Sequence, residues 1–284
     1  FYFLTVLILL SCSDKVSMQE FDSAEIIKTI VLPKTINETS GLEFYNKNFI
    51  THNDSGDGPS LYVFNENGDL IKTIDLNKGA NFEIENNDWE DIASDDKYLY
   101  VADTGNNFGN RSNLNIIRVN KEDDYKVDGI IEILYADQET FFPRPKHKYD
   151  AEAILVIDEQ LVLFSKDREN LNTDLYLVDK FEKAAQKLTS EFDFNVNSLI
   201  TGGDYKNELK LLALVSYNSQ GNQYLILFER FDLENLEENT FKKYIIPLEK
   251  AQIESIKIID KKTFWVTSED EGVGNPIMYK LKVK

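Results

Sequence analysis

A chain of 284 residues with 42% hydrophobic residues can bury a sizeable core, and 29% charged residues is ordinary for a solvated surface. The net charge of −19 is not ordinary, since 50 acidic against 31 basic side chains repel nucleic acid and attract cations. Nucleic-acid binding is therefore excluded as a function class.

In chain order, Phe1 to Leu10 are apolar except for Thr5, and Ser11-Cys12 follow directly. An apolar run this short cannot span a bilayer as a helix, but it suits the h-region of a signal peptide. Leu9-Leu10-Ser11-Cys12 resembles the lipobox of bacterial lipoproteins, in which the cysteine thiol is acylated and becomes the mature N-terminus. The match lacks an initiator Met and a basic n-region; the alternative is a buried strand with one free thiol. Residues 1–12 thus read as a lipoprotein signal peptide with Cys12 as the lipidation site. Residues 13–24 show no periodicity and read as a tether, and 25–284 as a single domain. The expected location is the cell envelope, with Cys12 anchoring a monomer to the membrane. The chain has no second cysteine, so the fold cannot depend on an internal disulfide.

From Glu25 onward one short pattern recurs: a polar residue, any residue, then Leu or Ile, with a β-rich apolar run shortly after. It opens at Ser40, Glu90, Glu152 and Glu254, with a weaker copy at Gly202, giving steps of 50, 62, 50 and 52 residues. Each unit predicts four short strands. In the first, Gly41–Tyr45, Phe49–His52, Ser60–Asn65 and Leu70–Leu76 are separated by Asn-, Asp- and Gly-rich turns that supply positive φ. Four strands in a unit of this length is the plan of a propeller blade. The fifth unit ends after three strands at Lys284, while Ile26–Leu32 precedes the first unit and matches Leu70–Leu76. The expected fold is therefore an all-β, five-bladed β-propeller closed by the N-terminal strand in the last blade. Six blades is the alternative, should the 62-residue unit hold extra strands.

In a propeller the first strand of each blade lines the central channel, so equivalent repeat positions converge in space. The leading position reads Ser40, Glu90, Glu152, Gly202 and Glu254. Just past the second strand come Asn53-Asp54, Asp103-Thr104, Ser165-Lys166, Val215-Ser216 and Thr267-Ser268, with Glu43, Asp91, Asn106 and Glu269 flanking the two sets. Like charges this close require a counter-charge. A hard cation such as Ca²⁺, with six to eight oxygen ligands, supplies one. Lys166 supplies another; cross-blade hydrogen bonds holding channel water, or carboxyls kept protonated, are the remaining solutions. Asn53, Asp54, Asp91, Asn106, Lys166 and Glu269 are the expected channel and loop binding residues.

Other signals are weaker. Asp54-Ser55-Gly56-Asp57-Gly58 has the wrong alternation for an EF-hand and no glutamate in register. Asp103-Thr104-Gly105-Asn106-Asn107 is either a binding loop or only a turn. Of the two histidines, His52 abuts Asn53-Asp54, which makes His52 with Asp54 the one acid–base candidate. His147 lies in the basic, Pro-containing segment 142–148. No nucleophile elbow, zinc-protease motif or phosphate-binding glycine loop is present.

Ser40-Gly41-Leu42-Glu43, then Leu61-Tyr62-Val63-Phe64, Gly68 to Ile74, Trp89-Glu90-Asp91-Ile92-Ala93 and Leu99 to Asp103 together resemble the SdiA-regulated propellers. These are similar in turn to phytase-like, NHL and SMP-30/gluconolactonase propellers. The match covers roughly residues 35 to 120, and is specific for a propeller of this type rather than for an activity. The resemblance implies channel Ca²⁺ with Glu43, Glu90, Asp103 and Glu152 as ligands, beside Glu254 from the repeat. Gly202-Gly203 in the fourth unit breaks a complete ring of ligands. The functional expectation is an envelope-anchored propeller that binds a ligand or protein partner. The alternative is a metal-dependent hydrolase of lactone, ester or phosphoester bonds.

Overall fold

The computed structural model describes residues 21–78, 80, 82–248, 251–269 and 274–284. The expected signal peptide, Cys12 and most of the expected tether lie outside them. Two strands, β1 (Asp22–Ser23) and β2 (Glu25–Val31), precede five sheets. Blade 1 is β3 (Thr39–Tyr45), β4 (Asn48–Asn53), β5 (Ser60–Phe64) and β6 (Leu70–Asp75). Blade 2 is β7 (Asp91–Ser94), β8 (Tyr98–Asp103), β9 (Asn115–Asn120) and β10 (Lys126–Tyr135). Blade 3 is β11 (Ala151–Ile157), β12 (Gln160–Ser165), β13 (Thr173–Asp179) and β15 (Phe192–Phe194), with β14 (Gln186–Leu188) in the loop before β15. Blade 4 is β16 (Leu199–Lys206), β17 (Leu211–Tyr217), β18 (Gln223–Glu229) and β19 (Lys242–Ile246). Blade 5 is β20 (Ile253–Asp260), β21 (Thr263–Ser268) and β22 (Ile277–Lys282), and β2 completes it.

The ring closes as the repeat predicts: β2 pairs antiparallel with β22, Ile26 opposite Leu281 and Val31 opposite Ile277. Five blades are present; the long second unit comes from the connection 136–150 between β10 and β11, not from a sixth blade. One boundary moves. The segment expected as tether up to residue 24 is already structured at Asp22–Ser23, which pairs in parallel with Tyr244 and Ile245 on the outer edge of blade 4. The short β14 covers the outer edge of blade 2 in the same way, against Ile133 to Tyr135. Both additions cover edges that would otherwise template aggregation.

Middle strands are packed between two neighbouring blades, so they are apolar on both faces. That is why β8 (YLYVAD), β12 (QLVLFS) and β17 (LLALVSY) read as runs rather than alternations, and why β8 is buried throughout. The outer strand β6 is exposed at five of its six residues. The apolar residues sort into five clusters, one at each seam of the ring. Trp89 and Ile92 meet Ile50 and Leu61 between blades 1 and 2, and Trp265 and Met278 meet Leu42 and Phe49 between blades 5 and 1. The last seam contains Ile30 of β2, so the closing strand also contributes to the core.

Each inner strand leaves one backbone edge facing the channel, and these donors and acceptors need partners. Side chains of neighbouring blades supply them. Ser40 Oγ donates to the Glu90 carbonyl, Thr104 Oγ1 to Ala151 O at 2.7 Å, and Thr201 Oγ1 to Ile253 O at 2.5 Å. Asp91 reaches furthest. Its Oδ1 accepts Ile92 N–H at 2.8 Å, while Oδ2 accepts Ile154 N–H of blade 3 at 3.0 Å and Gly203 N–H of blade 4 at 3.2 Å. A chain begun at Leu32, which lacks β1 and β2, is expected to lose cooperative unfolding and to aggregate through the bared edge of β22. Thermal melts monitored by light scattering would show this; a melt like that of the whole chain would contradict the closure.

Candidate metal centre at the channel mouth

Residues at the start of the inner strands of blades 2, 3 and 5 (Glu90, Glu152 and Glu254) border a cleft of about 160 Å³. Asp54, Glu90, Glu152, Glu254, Lys166 and Arg168 line it, with Tyr217, Gln252 and Asn107 completing the wall. Two triads of carboxylates converge here: Asp54, Asp88 and Glu90, and Glu90, Asp150 and Glu152, each with one oxygen per residue within 4.8 Å of the others.

Local hydrogen bonds fix these side chains. Asp88 is held at both ends of its peptide: its N–H donates to Asp103 Oδ1 at 3.1 Å and its carbonyl accepts Gly105 N–H at 3.1 Å. A side-chain carbon at Gly105 would overlap Glu90 Oε1 and lie 2.5 Å from Asp88 Oδ2, so only glycine lets this turn approach the triad. Asp54 follows β4, where Glu38 O accepts its N–H at 2.9 Å and Asn86 Nδ2 donates to its carbonyl at 2.6 Å. Asp150 accepts Asn106 N–H at 2.7 Å, and Asn106 Nδ2 donates to Tyr149 O at 2.7 Å.

The two triads differ in charge compensation. Lys166 Nζ lies 2.5 Å from Glu152 Oε2, and Arg168 Nη2 lies 2.8 Å from Asp150 Oδ2 and 3.4 Å from Glu152 Oε1. Burial disfavours the charge on Lys166, but Glu152 and Glu254 more than offset this and hold the ammonium protonated. Asp54, Asp88 and Glu90 have no cationic side chain within ion-pair distance among the described residues. Their carboxyls are consequently pushed upward. Burial first, then the charges of Glu269 and Glu38, raise Asp54 to about 6; burial and then Asp54 and Asp150 raise Asp88 to about 7. Glu90 is 5% exposed and is pushed well above the carboxylate range by burial and by Glu152, Asp54, Asp150 and Asp88. Its carboxylate accepts no hydrogen bond among the described residues, although it is central to both triads.

A divalent oxygen-liganded ion fits the uncompensated triad. Two oxygens bound to one Ca²⁺ at about 2.4 Å can be at most about 4.8 Å apart, and the ligand atoms of each triad all lie within that limit. The donor set is all carboxylate, which suits a hard cation rather than a thiophilic one.

The remaining expected site residues are distributed as follows. Glu90, Glu152, Glu254, Asp54 and Lys166 line the cleft. Glu254 accepts a hydrogen bond from Gln252 Nε2 and belongs to neither triad. Glu269 acts on Asp54 and Glu254 through its charge. Glu43, expected as a ligand, is at the other end of the channel. Three residues along an inner strand is about 10 Å, and Glu43 there pairs with Lys257 Nζ at 2.8 Å, which also holds Asp204 at 2.9 Å. Asp103, also expected as a ligand, is taken up by Arg111 at 2.8 Å, by Asn87 Nδ2 at 2.8 Å and by Asp88 N–H, so it positions Asp88 instead. Asn53 is structural: its Nδ2 donates to Asp57 Oδ2 at 2.7 Å and to Thr35 O at 3.0 Å. Asn106 orients Asp150, and Asp91 bridges inner strands.

His52 lies outside the cleft. It is fully buried, edge-on to Trp89 with ring centroids 5.5 Å apart, and burial lowers it to about 4, so it is a neutral core residue. His147 Nε2 donates to Asn107 O at 3.2 Å and its Nδ1 accepts Tyr149 N–H at 3.1 Å, which ties the basic segment to the loop beside the cleft. The sequence reading missed Asp88, Asp150 and Arg168. A signal for the first two exists: Asp88-Trp89-Glu90 and Asp150-Ala151-Glu152 repeat one Asp-x-Glu step, and alternate residues of an extended chain share a side.

No protein-family model matches the chain, and no curated protein matches it. Solved structures share its fold at low identity. A GH43 β-1,3-galactosidase solved with galactodeoxynojirimycin is 11% identical, covering 91% of this chain and 94% of that one with a TM-score of 0.53. A hypothetical protein from Leishmania major is 9% identical, covering 91% of each chain with a TM-score of 0.50. At these identities the likeness speaks for the fold alone, and the chain is a five-bladed β-propeller.

Proposed function

We propose that this protein is a cell-envelope propeller, anchored through a lipidated Cys12, whose channel mouth holds a divalent cation at Asp54, Asp88 and Glu90. Its donor set favours Ca²⁺, and the bound ion, with Lys166 and Arg168 beside it, forms the surface that takes a ligand or protein partner. Glu90 carries this reading: a carboxylate only 5% exposed, shared by two triads and without a protein hydrogen-bond donor among the described residues, has its charge balanced when a cation joins it.

The reading predicts a pH dependence. Asp54 and Asp88 stand at about 6 and about 7, above their unfolded values, so protons compete with the ion as pH falls through that range. The Ca²⁺ dissociation constant is expected to weaken at least about a hundredfold between about pH 8 and about pH 5. The ion-free protein behaves oppositely: the raised carboxyls favour folding while protonated, and this contribution is lost as pH rises through about 6 to 7. Calorimetric titration with CaCl₂ across this range measures the first effect; absence of binding at the alkaline end would refute the site.

A second reading, hydrolysis, is favoured by Asp54 on the wall of an open cleft and Asp88 in the same triad, whose carboxyls are raised to about 6 and about 7, the range a general acid or base needs. Lactones, esters and phosphoesters are the substrates to test. Turnover that disappears in Asp88→Asn would support this reading, and no turnover with intact ion binding would leave the binding function.

A further inference from the structure

The face of the ring away from the acidic mouth carries a pocket of opposite character. It is a cavity of about 340 Å³ at the seam between blades 5 and 1. Its apolar wall is Phe44, Phe49 and Trp265, together with Ile258 and Ile259. The rings hold one another: Phe44 and Phe49 meet edge-on at 5.0 Å between centroids, and Phe49 and Trp265 at 5.7 Å. Phe49 and Trp265 are buried at 1% and 3% exposure, whereas Phe44 is 43% exposed and faces outward.

Ammonium groups stand round this wall. Lys280 Nζ lies 5.2 Å and Lys28 Nζ 5.6 Å from the Trp265 ring centroid. Neither has a carboxylate within ion-pair distance among the described residues, and Lys28 donates only to the carbonyl of Glu66, at 3.3 Å. Lys206 also borders the cavity and donates to Ile259 O at 2.8 Å, again without a carboxylate. Lys257 is occupied by Glu43 and Asp204. Glu66, which is exposed, is the one acidic residue among those lining the cavity. In a chain of net charge −19, two ammoniums without carboxylate partners lining an aromatic cavity, Lys206 and Lys280, and a third, Lys28, beside its Trp265 wall depart sharply from the average surface.

We propose that this pocket binds a small amphiphilic carboxylate. Its aromatic or aliphatic tail lies against Phe44, Phe49 and Trp265, and its carboxylate takes the charge of Lys28, Lys280 and Lys206. A cation is excluded by the surrounding ammoniums. A neutral apolar ligand would leave those ammoniums without a counter-charge. The site lies at the opposite end of the channel from Asp54, Asp88 and Glu90 and does not depend on the ion there.

Trp265 provides the readout, because the chain has only two tryptophans and Trp89 is fully buried at another seam. The probe is ω-bromoundecanoate, whose bromine quenches a neighbouring indole. Saturable quenching is expected in the whole protein, absent in Trp265→Phe and unchanged by Ca²⁺ or a chelator. The Lys28→Glu/Lys280→Glu variant is expected to bind at least about tenfold more weakly, and Lys28→Arg/Lys280→Arg to retain binding. The uncharged ω-bromoundecanol should also bind at least about tenfold more weakly than the acid. No saturable quenching, or equal binding of acid and alcohol with no effect of charge reversal, would overturn the proposal. Circular dichroism and melting of the arginine and glutamate variants separate loss of binding from loss of fold.

Discussion

Replacing Asp91 by alanine is expected to lower the melting temperature by roughly 7–11 °C. Its carboxylate accepts three backbone N–H groups, from Ile92, Ile154 and Gly203, and so links the inner strands of blades 2, 3 and 4 at the channel axis. Asp91 is 1% exposed, so the donors left behind would be buried. Each buried unpaired donor costs about 1–3 kcal/mol, giving about 4–6 kcal/mol for the set when part of the loss is relieved by local adjustment. Burial raises the Asp91 carboxyl well above its usual range, and the three backbone donors act against that shift. Asp91→Asn keeps one acceptor oxygen and should fall between the two. Chemical denaturation of the three proteins measures this, and an alanine variant within about 1 kcal/mol of the parent would show that water replaces the carboxylate without loss.

The second large effect is expected at Gly105, a residue with no chemistry of its own. Alanine there would place its methyl group against Glu90 Oε1 and Asp88 Oδ2, displacing two of the three proposed ligands. The Ca²⁺ dissociation constant should weaken by about a hundredfold, comparable to the loss of an orienting residue at other metal centres. The ring should stay folded, because Gly105 lies in the turn after β8 and the hydrogen bond its N–H donates to Asp88 O needs no side chain. Calorimetric titration beside a thermal melt distinguishes the two effects. Unchanged affinity would mean that the ion is held elsewhere.

Much of the architecture is written in the repeat itself. Strand count, blade count and closure follow from the spacing of the leading positions and from the match of Ile26–Leu32 to Leu70–Leu76, because each blade must bury both faces and has no other place for an orphan strand. The alignment of leading positions also brings Glu90, Glu152 and Glu254 to one cleft, as the ring geometry requires. It fails where position along a strand matters more than position in the repeat. Glu43 follows Ser40 by three residues, which moves it about 10 Å down the channel to Lys257. Asp103 shares its repeat position with Asn53, one residue short of Asp54, and the loop after β8 folds back and delivers Arg111 to it, a path that residue spacing does not encode. Asp88 and Asp150 were legible as a repeated Asp-x-Glu step. Their convergence on Glu90 depends on the turns at Gly105 and Asn106, which no periodicity reveals.

Thermal unfolding of the purified protein with excess Ca²⁺ and with a chelator, beside Glu90→Gln, tests the cation centre most directly. At a free ion concentration about a hundredfold above the dissociation constant the account predicts about 2.7 kcal/mol of added stability. That is a rise in melting temperature of about 5 °C, and it should vanish in Glu90→Gln. A melting temperature that ignores Ca²⁺, Mg²⁺ and chelator alike, at alkaline pH, would contradict it.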